Sequence, residues 1–281
     1  MGSIHWFPGH MKKALNEVEE KIKLVDIVIE ILDARAPLSS INDNLEKLIT
    51  NKKRLVVISK IDLADKTQTK IWKEYLSSRF DDILLLDLTK SNSENEIAKS
   101  VIKLGQDKWN KQKAKGMKPQ PIRAMILGVP NVGKSSLINR LAKRKAAGVQ
   151  NKPGFTRGEQ WIKVNKDFML LDTPGILPMN YEDKKKAANL ALIGSIREEI
   201  LPNNELIHIL LEYFKKYYPE ALKQRYGINQ ISDDLSTLKK ICEVRKITTG
   251  NNDNDLLKAE ALLLHEFKNG LLGNFTIEWV D

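Results

Sequence analysis

The chain is 281 residues long, is 42% hydrophobic and carries a formal net charge of +10. Its single cysteine, Cys242, excludes a disulfide framework and fits a reducing compartment, and its four scattered histidines offer no zinc-site spacing. No apolar run approaches the roughly 18 residues of a membrane-spanning helix, and the N-terminus shows no signal-peptide pattern. The positive charge points to a polyanionic partner, and it is unevenly placed. Residues 179–281 hold 14 Lys+Arg against 16 Asp+Glu, so the first 178 residues carry 32 basic against 20 acidic side chains.

The opening His5-Trp6-Phe7-Pro8-Gly9-His10-Met11 precedes a helix expected over 10–24, where Met11, Ala14, Leu15, Val18 and Ile22 recur at helical spacing. Spacing alone makes Trp6 and Phe7 the anchors of a docked helix; the alternative gives His10 a place near a bound ligand. Residues 26–32 form a β-rich apolar run, a buried strand ending in Asp33-Ala34-Arg35-Ala36-Pro37. Leu45, Leu48 and Ile49 mark the next helix, and residues 54–59 the next strand. That strand runs into Ser59-Lys60-Ile61-Asp62, one residue away from the Asn-Lys-x-Asp loop that specifies guanine. Asp62 can accept from the guanine N1–H and 2-amino group, a donor pair that adenine lacks, while Lys60 lies along the ring. Ser59 is the departure, because a hydroxyl lacks the reach of an Asn amide.

A helix with Ile71, Trp72, Tyr75 and Leu76 inward follows, then a strand over 83–88 and a helix over 94–109. Strands and helices in alternation imply a parallel sheet. Residues 108–121 read as a linker in which Lys108, Lys111, Lys113, Lys115 and Lys118 lie among Gly116, Pro119 and Pro121. Such a charge run is either a solvated surface or a phosphate-backbone contact.

The apolar strand 122–127 then enters Gly128-Val129-Pro130-Asn131-Val132-Gly133-Lys134-Ser135-Ser136, which fits the P-loop pattern in its required strand–loop–helix context. Backbone N–H groups around Asn131, Val132, Gly133 and Ser136 can close on a phosphate, aided by the helix N-terminus. Lys134 should reach the β/γ-phosphates, and the Ser135 hydroxyl should ligate Mg²⁺. Lys143-Arg144-Lys145 comes next, then Pro153-Gly154-Phe155-Thr156. Thr156, 22 positions after Lys134, suits a switch threonine on Mg²⁺ and the γ-phosphate. Residues 160–164 and 168–171 look like paired strands, the second ending in Asp172-Thr173-Pro174-Gly175. In this Asp-x-x-Gly signal Asp172 supports Mg²⁺ and the Gly175 N–H senses the γ-phosphate.

The order of these parts is unusual. In Ras-like GTPases the guanine loop follows the Asp-x-x-Gly loop; here it precedes the P-loop, so the fold is circularly permuted. Switch II leads straight into residues 179–281. Their stripes read as helices with a core of their own: Leu192, Ile193, Ile196 and Ile200; Leu206, Ile207, Leu210, Leu211 and Phe214; Leu235, Leu238, Ile241 and Cys242; Leu257, Ala261 and Leu264. Gly250 and Gly270 suit helix ends, His208 and His265 surface or packing positions, and the tail 271–280 is strand-like. The expected fold class is α/β: a circularly permuted P-loop GTPase domain with a mainly parallel sheet over 1–178, then a small all-helical domain over 179–281.

With these motifs the chain resembles the circularly permuted GTPases of the ribosome biogenesis GTPase A family, the RbgA/YlqF type. The resemblance runs nearly end to end. It rests on Trp6 to Met11, Asp33-Ala34-Arg35, Lys60-x-Asp62, the P-loop, Pro153 to Thr156, Asp172 to Gly175 and the closing Phe267-Lys268-Asn269-Gly270-Leu271-Leu272-Gly273. It implies a GTPase, with GTP as substrate and GDP as product, that binds a late precursor of the large (50S) ribosomal subunit and its rRNA. It further implies hydrolysis stimulated by that particle, and a helical domain on rRNA. A monomer away from membranes is expected, in a bacterial cytoplasm or alternatively an organelle.

Residue 176 is Ile, where Ras-like enzymes carry a water-orienting Gln, so intrinsic hydrolysis should be slow. Supplying the missing groups in trans can be worth roughly 10³–10⁵-fold. The resemblance makes His10 the replacement catalytic residue, since an imidazole can orient or deprotonate water near neutral pH. It likewise makes Asn131 a ligand for an activating K⁺, and Thr89 a residue near guanine O6. The competing reading is a particle-binding scaffold that holds GTP with little turnover, and His10 discriminates the two.

Overall fold

The computed structural model describes residues 4–5, 8–90, 93–143, 161–171, 180–181, 183–196, 201–248 and 252–280; the side chains of residues 4–5, 8–12, 14, 143, 180–181 and 252 also fall outside the description. A short strand β1 (Ile4–His5) precedes helix α1 (Pro8–Lys21), which ends in a 3-10 turn at Ile22–Leu24. Then come β2 (Ile27–Asp33), α2 (Pro37–Ser40), α3 (Asp43–Ile49), β3 (Lys53–Ser59), α4 (Lys66–Ser77) and β4 (Asp82–Leu85). Helices α5 (Ser93–Leu104) and α6 (Gln106–Ala114) lead to β5 (Ile122–Leu127) and α7 (Lys134–Lys143). Strands β6 (Trp161–Lys163), β7 (Phe168–Leu171) and β8 (Asn180–Tyr181) precede α8 (Lys184–Leu192). The chain closes with α9 (Asn203–Tyr217), α10 (Lys223–Tyr226), α11 (Asp234–Arg245) and α12 (Asn252–Lys268).

Among the described residues six strands form one sheet in the order β4-β3-β2-β5-β7-β6, parallel except for the β6–β7 hairpin. The central strand β2 is buried along its whole length, as a strand covered on both faces must be. Alternate residues serve opposite faces. Ile27, Ile29 and Ile31 share a cluster with Ile97 and Val101 of α5 and Leu137 and Leu141 of α7. Val28 joins Val18 of α1 and Leu45 and Ile49 of α3, while Leu32 joins Trp72 and Leu76 of α4. The expected mainly parallel α/β sheet is therefore present, with the P-loop strand β5 between β2 and β7.

Several expectations change on folding. The lysine-rich segment 108–121 is not a plain linker: α6 covers its first half, and the expected helix over 94–109 is broken at Gly105 into α5 and α6. Glycine is a poor helix former, and a Cβ at Gly105 would lie 2.5 Å from the Ile122 side chain of β5, so only glycine packs there without a shift. On α4, Ile71 and Tyr75 are exposed; the large ring of Trp72 fills the buried stripe, with Tyr75 edge-on at 5.4 Å. Leu235 and Leu257 are exposed as well, and α12 buries Ala259, Leu263, Leu264 and Phe267. The tail 271–280 forms no strand, because its backbone bonds to two separate loops instead of one partner strand: Phe275 N donates to Leu63 O, and Ile277 N to Arg35 O. The buried residues of α8–α12 are in contact with those of the sheet. Ile200 and Gly250 lie outside the described residues.

One buried charge supports the sheet's far face. Glu30 of β2 is almost fully buried, and burial pushes its carboxyl pKa up against the opposing pull of Arg54. Arg54 binds Glu30 and Glu46 and lies 4.5 Å from the centre of the Phe80 ring. Arg54→Met leaves Glu30 buried without its cation, so urea unfolding at pH 7 should show a loss of about 3–5 kcal/mol. That loss should shrink on acidification, because protonated Glu30 no longer needs a partner.

Candidate functional site

Four loops converge at the carboxyl ends of β2, β3, β4 and β5, where open parallel sheets carry their sites. The P-loop leaves β5 pressed against β2. Gly128 has φ 150°, and a Cβ there would lie 2.6 Å from the Ile31 carbonyl oxygen, so no side chain fits. Asn131 sits in the left-handed region at φ 60°, which Asn tolerates better than most residues. Lys134 opens α7 and is buried, with Nζ donating to the Gly128 and Val129 carbonyls at 2.8 and 2.6 Å. Burial pulls its pKa down to about 8. A cation held out of water in this way gains strongly from an arriving anion. Ser135 and Ser136 are exposed at the first turn of α7.

The loop after β3 is tied to the P-loop by the residue that departs from the guanine motif. The buried Ser59 hydroxyl lies 2.9 Å from the Leu32 carbonyl and 2.7 Å from that of Val132, so it bridges β2, β3 and the P-loop. Ser59 thus serves as a tether between loops. Lys60 adopts φ 55° and places Nζ 3.0 Å from Asp33, while Asp62 is exposed beyond it. On the β4 side, both the N–H and the hydroxyl of Thr89 donate to Asp87. Arg140 of α7 donates to the carbonyls of Thr89 and Lys90, and Leu88 packs beside Gly133. The structure therefore gathers Ser59, Lys60, Asp62, Thr89 and the P-loop at one end of the sheet. Thr156, Asp172, Gly175 and the side chain of His10 lie outside the described residues.

Asp33 and Arg35 are the functional neighbours that motif reading named without a role. Burial would raise the Asp33 pKa, but the Arg35 and Lys60 charges and the Arg35 hydrogen bonds override it and hold it at about 2. Arg35 binds Asp33 through its backbone N, Nε and Nη2 at 3.0, 3.0 and 2.9 Å. Its Nη1 and Nη2 also donate to the Lys268 and Ile193 carbonyls, both at 2.9 Å. Asn131 makes a parallel link, donating to the Gly194 carbonyl at 2.7 Å. The sequence signal for this network is an acidic residue at the end of a buried strand with a basic residue two positions on. Among the described residues no cluster of three or more His, Cys, Asp or Glu side chains could hold a metal ion, and no helix is long and apolar enough to cross a membrane.

A parallel sheet with a P-loop on its central strand, and a Lys-x-Asp loop bound to that P-loop, defines a guanine-nucleotide-binding protein of the P-loop GTPase class with permuted strand order. Residues 123–246 match the family described as 50S ribosome-binding GTPase. The chain is 44% identical to the ribosome biogenesis GTPase A of Bacillus cereus over 98% of its length and 93% of the relative's. It is 31% identical to the mitochondrial ribosome-associated GTPase 1 of Bos taurus, covering 95% and 86% of the two chains. The GNP-bound crystal structure of YlqF from T. maritima superposes with a TM-score of 0.65 at 24% identity, over 95% of this chain and all of that one. A GDP-bound YlqF structure gives a TM-score of 0.68, also at 24% identity, over 94% and 98%. The chain belongs to the ribosome biogenesis GTPase A family.

The Asp33 network carries a pH signature. Its pKa is depressed in the folded state from 3.8 to about 2, so its contribution is present above about pH 4 and lost as pH falls toward 2. A shift of that size corresponds to roughly 2 kcal/mol. Urea titrations between pH 5 and 2 should show a steeper acid loss for the natural protein than for Asp33→Asn, whose stability should already be low and vary less over that range.

Proposed function

We propose that this GTPase hydrolyses GTP to GDP and phosphate on a precursor of the large ribosomal subunit, slowly alone and faster when bound to the particle. The observation that carries the guanine-nucleotide reading is the Ser59 hydroxyl on the Val132 carbonyl, which locks the guanine loop to the phosphate loop. Asp62 accepts from the guanine edge and Lys60 lies along the ring. Thr89 borders the base, and the N–H groups from Asn131 to Ser136 receive the phosphates. Lys134, poorly solvated, exchanges its two carbonyl partners for β/γ-phosphate oxygens. Ser135, with Thr156 and Asp172, offers the hard oxygen donors that Mg²⁺ takes. Mg²⁺ held there would neutralise charge developing on the phosphate oxygens. Asn131 spends its amide nitrogen on Gly194, so its carbonyl oxygen is the atom with K⁺ chemistry.

Hydrolysis needs a water aligned against the γ-phosphorus, opposite the bridging oxygen that leaves with GDP. His10 orients that water, and the Gly175 N–H senses the phosphate. Strand β1 pairs with β8, Ile4 opposite Tyr181 and His5 opposite Asn180, three residues ahead of α1. This pairing supports the His10 role. The expected division at 178/179 makes the helical half the part that reports particle contact. Exposed Lys111, Lys113, Lys115 and Lys118, together with Lys143, Arg144 and Lys145, supply the phosphate-backbone contacts that a helical half of net charge −2 cannot. Lys108 contributes less, being paired with Asp26 at 2.7 Å. The protein works as a monomer in the compartment of its ribosome.

GTP turnover in KCl, with and without purified large subunits and with NaCl as control, tests the reading. The expected result is slow turnover alone and at least about 10³-fold stimulation by the particle in K⁺, the scale seen when missing groups are supplied in trans. His10→Ala should abolish the stimulation while leaving GTP binding intact. Tight particle binding without turnover in either salt would instead favour a GTP-holding scaffold. Separately, replacing Lys111, Lys113, Lys115 and Lys118 by Gln should flatten the log–log salt dependence of particle binding by about 0.7–0.9 per lost phosphate contact. An unchanged slope removes these lysines from the interface.

A further inference from the structure

The loop after β3 is gripped from outside by the C-terminal tail. Asn274 Nδ2 donates to the Asp62 carbonyl at 2.8 Å, and Phe275 N donates to the Leu63 carbonyl at 3.2 Å. Thr276 Oγ1 accepts from Asp65 N at 3.3 Å. Gly270, in the left-handed region at φ 70° just past α12, has Leu63 Cδ2 2.8 Å from where a Cβ would stand. Successive residues of the loop thus meet successive residues of the tail.

The tail is itself fixed to the helices. The Tyr218 hydroxyl accepts from Thr276 N at 3.1 Å and donates to Thr276 O at 3.2 Å. The Phe275 ring packs against Phe214 and Tyr218, each at 4.9 Å between centroids. Glu278 accepts from the N–H groups of Leu38 and Ser39 and from Asn189 of α8. The tail therefore acts as a strut that transmits the position of the helical half to the loop.

We propose that Asn274 and Thr276 are positioning residues for base recognition: by holding the backbone of residues 62–65, the tail sets where the Asp62 carboxylate meets the guanine edge. This rests on the reading that Asp62 accepts from guanine. A two-point contact to N1–H and the 2-amino group demands placement within about half an ångström, which an untethered loop does not provide. Coupling of this kind is reciprocal, so guanine binding favours the docked tail and lifting the helical half weakens nucleotide binding.

The test compares GDP with IDP, which lacks the 2-amino group, on the full chain. Asn274 is exposed, so Asn274→Ala should leave the thermal midpoint nearly unchanged. Losing its hydrogen bond, alone or with Thr276→Val, should weaken GDP about three- to tenfold and raise its dissociation rate to match, with IDP, which keeps only the N1–H contact, weakened less. A merely structural role would weaken both nucleotides alike; that result, or no change in either, overturns the proposal. Asp62→Asn checks the underlying reading, because it should shift preference from GDP to XDP. Failure of that shift removes the Asp62 reading and the proposal together. A successful shift alongside undiminished GDP-over-IDP discrimination in Asn274→Ala removes the tail's role alone.

Discussion

An ionised carboxylate shut away from water at the end of β2 is the constraint on which the rest of the site depends. Burying a charge costs several kcal/mol unless partners replace its hydration. Asp33 is matched by Arg35 and Lys60, and each partner then constrains something else. Lys60 is drawn down onto Asp33, fixing the first turn of the guanine loop. Arg35, buried in turn, must place its remaining N–H groups, and finds the Ile193 and Lys268 carbonyls on the helical half. A single desolvated charge thus obliges the two halves of the chain to dock.

Permutation explains why that docking matters. The sheet is completed by strands that come before and after the P-loop in the chain, and the segment after β7 leads out of the sheet into helices. Those helices fold back against the same carboxyl ends that carry the loops. Asn131 reaches Gly194, Arg35 reaches Ile193 and Lys268, and the tail reaches Asp62 and Leu63. The P-loop and the loop after β3 each have a direct hydrogen bond to the helical half or its tail. A displacement of the helices therefore has physical routes to both loops.

Ser59 shows what a departure from a motif can do inside the fold. Judged against Asn, its hydroxyl lacks reach toward a ligand. In the fold its oxygen sits between the carbonyls of Leu32 and Val132, fully buried, where a short side chain fits. The side chain is selected by what surrounds it in space, and those neighbours lie 27 and 73 positions away along the chain.

The sequence by itself determined the parts. A glycine loop between an apolar strand and a helix has few other uses, and strand–helix alternation leaves little choice but a parallel sheet. The permuted order followed from motif positions alone, because order is a property of the chain. Tertiary structure alone decided the joints. The exposure of Tyr75, Leu235 and Leu257, the helical start of the lysine segment and the strandless tail all turn on which neighbours arrive, and local periodicity carries no record of them. The same holds for Arg35 and Asn274: their partners are carbonyl oxygens, which every residue possesses. No residue type in the sequence can announce which one will be met.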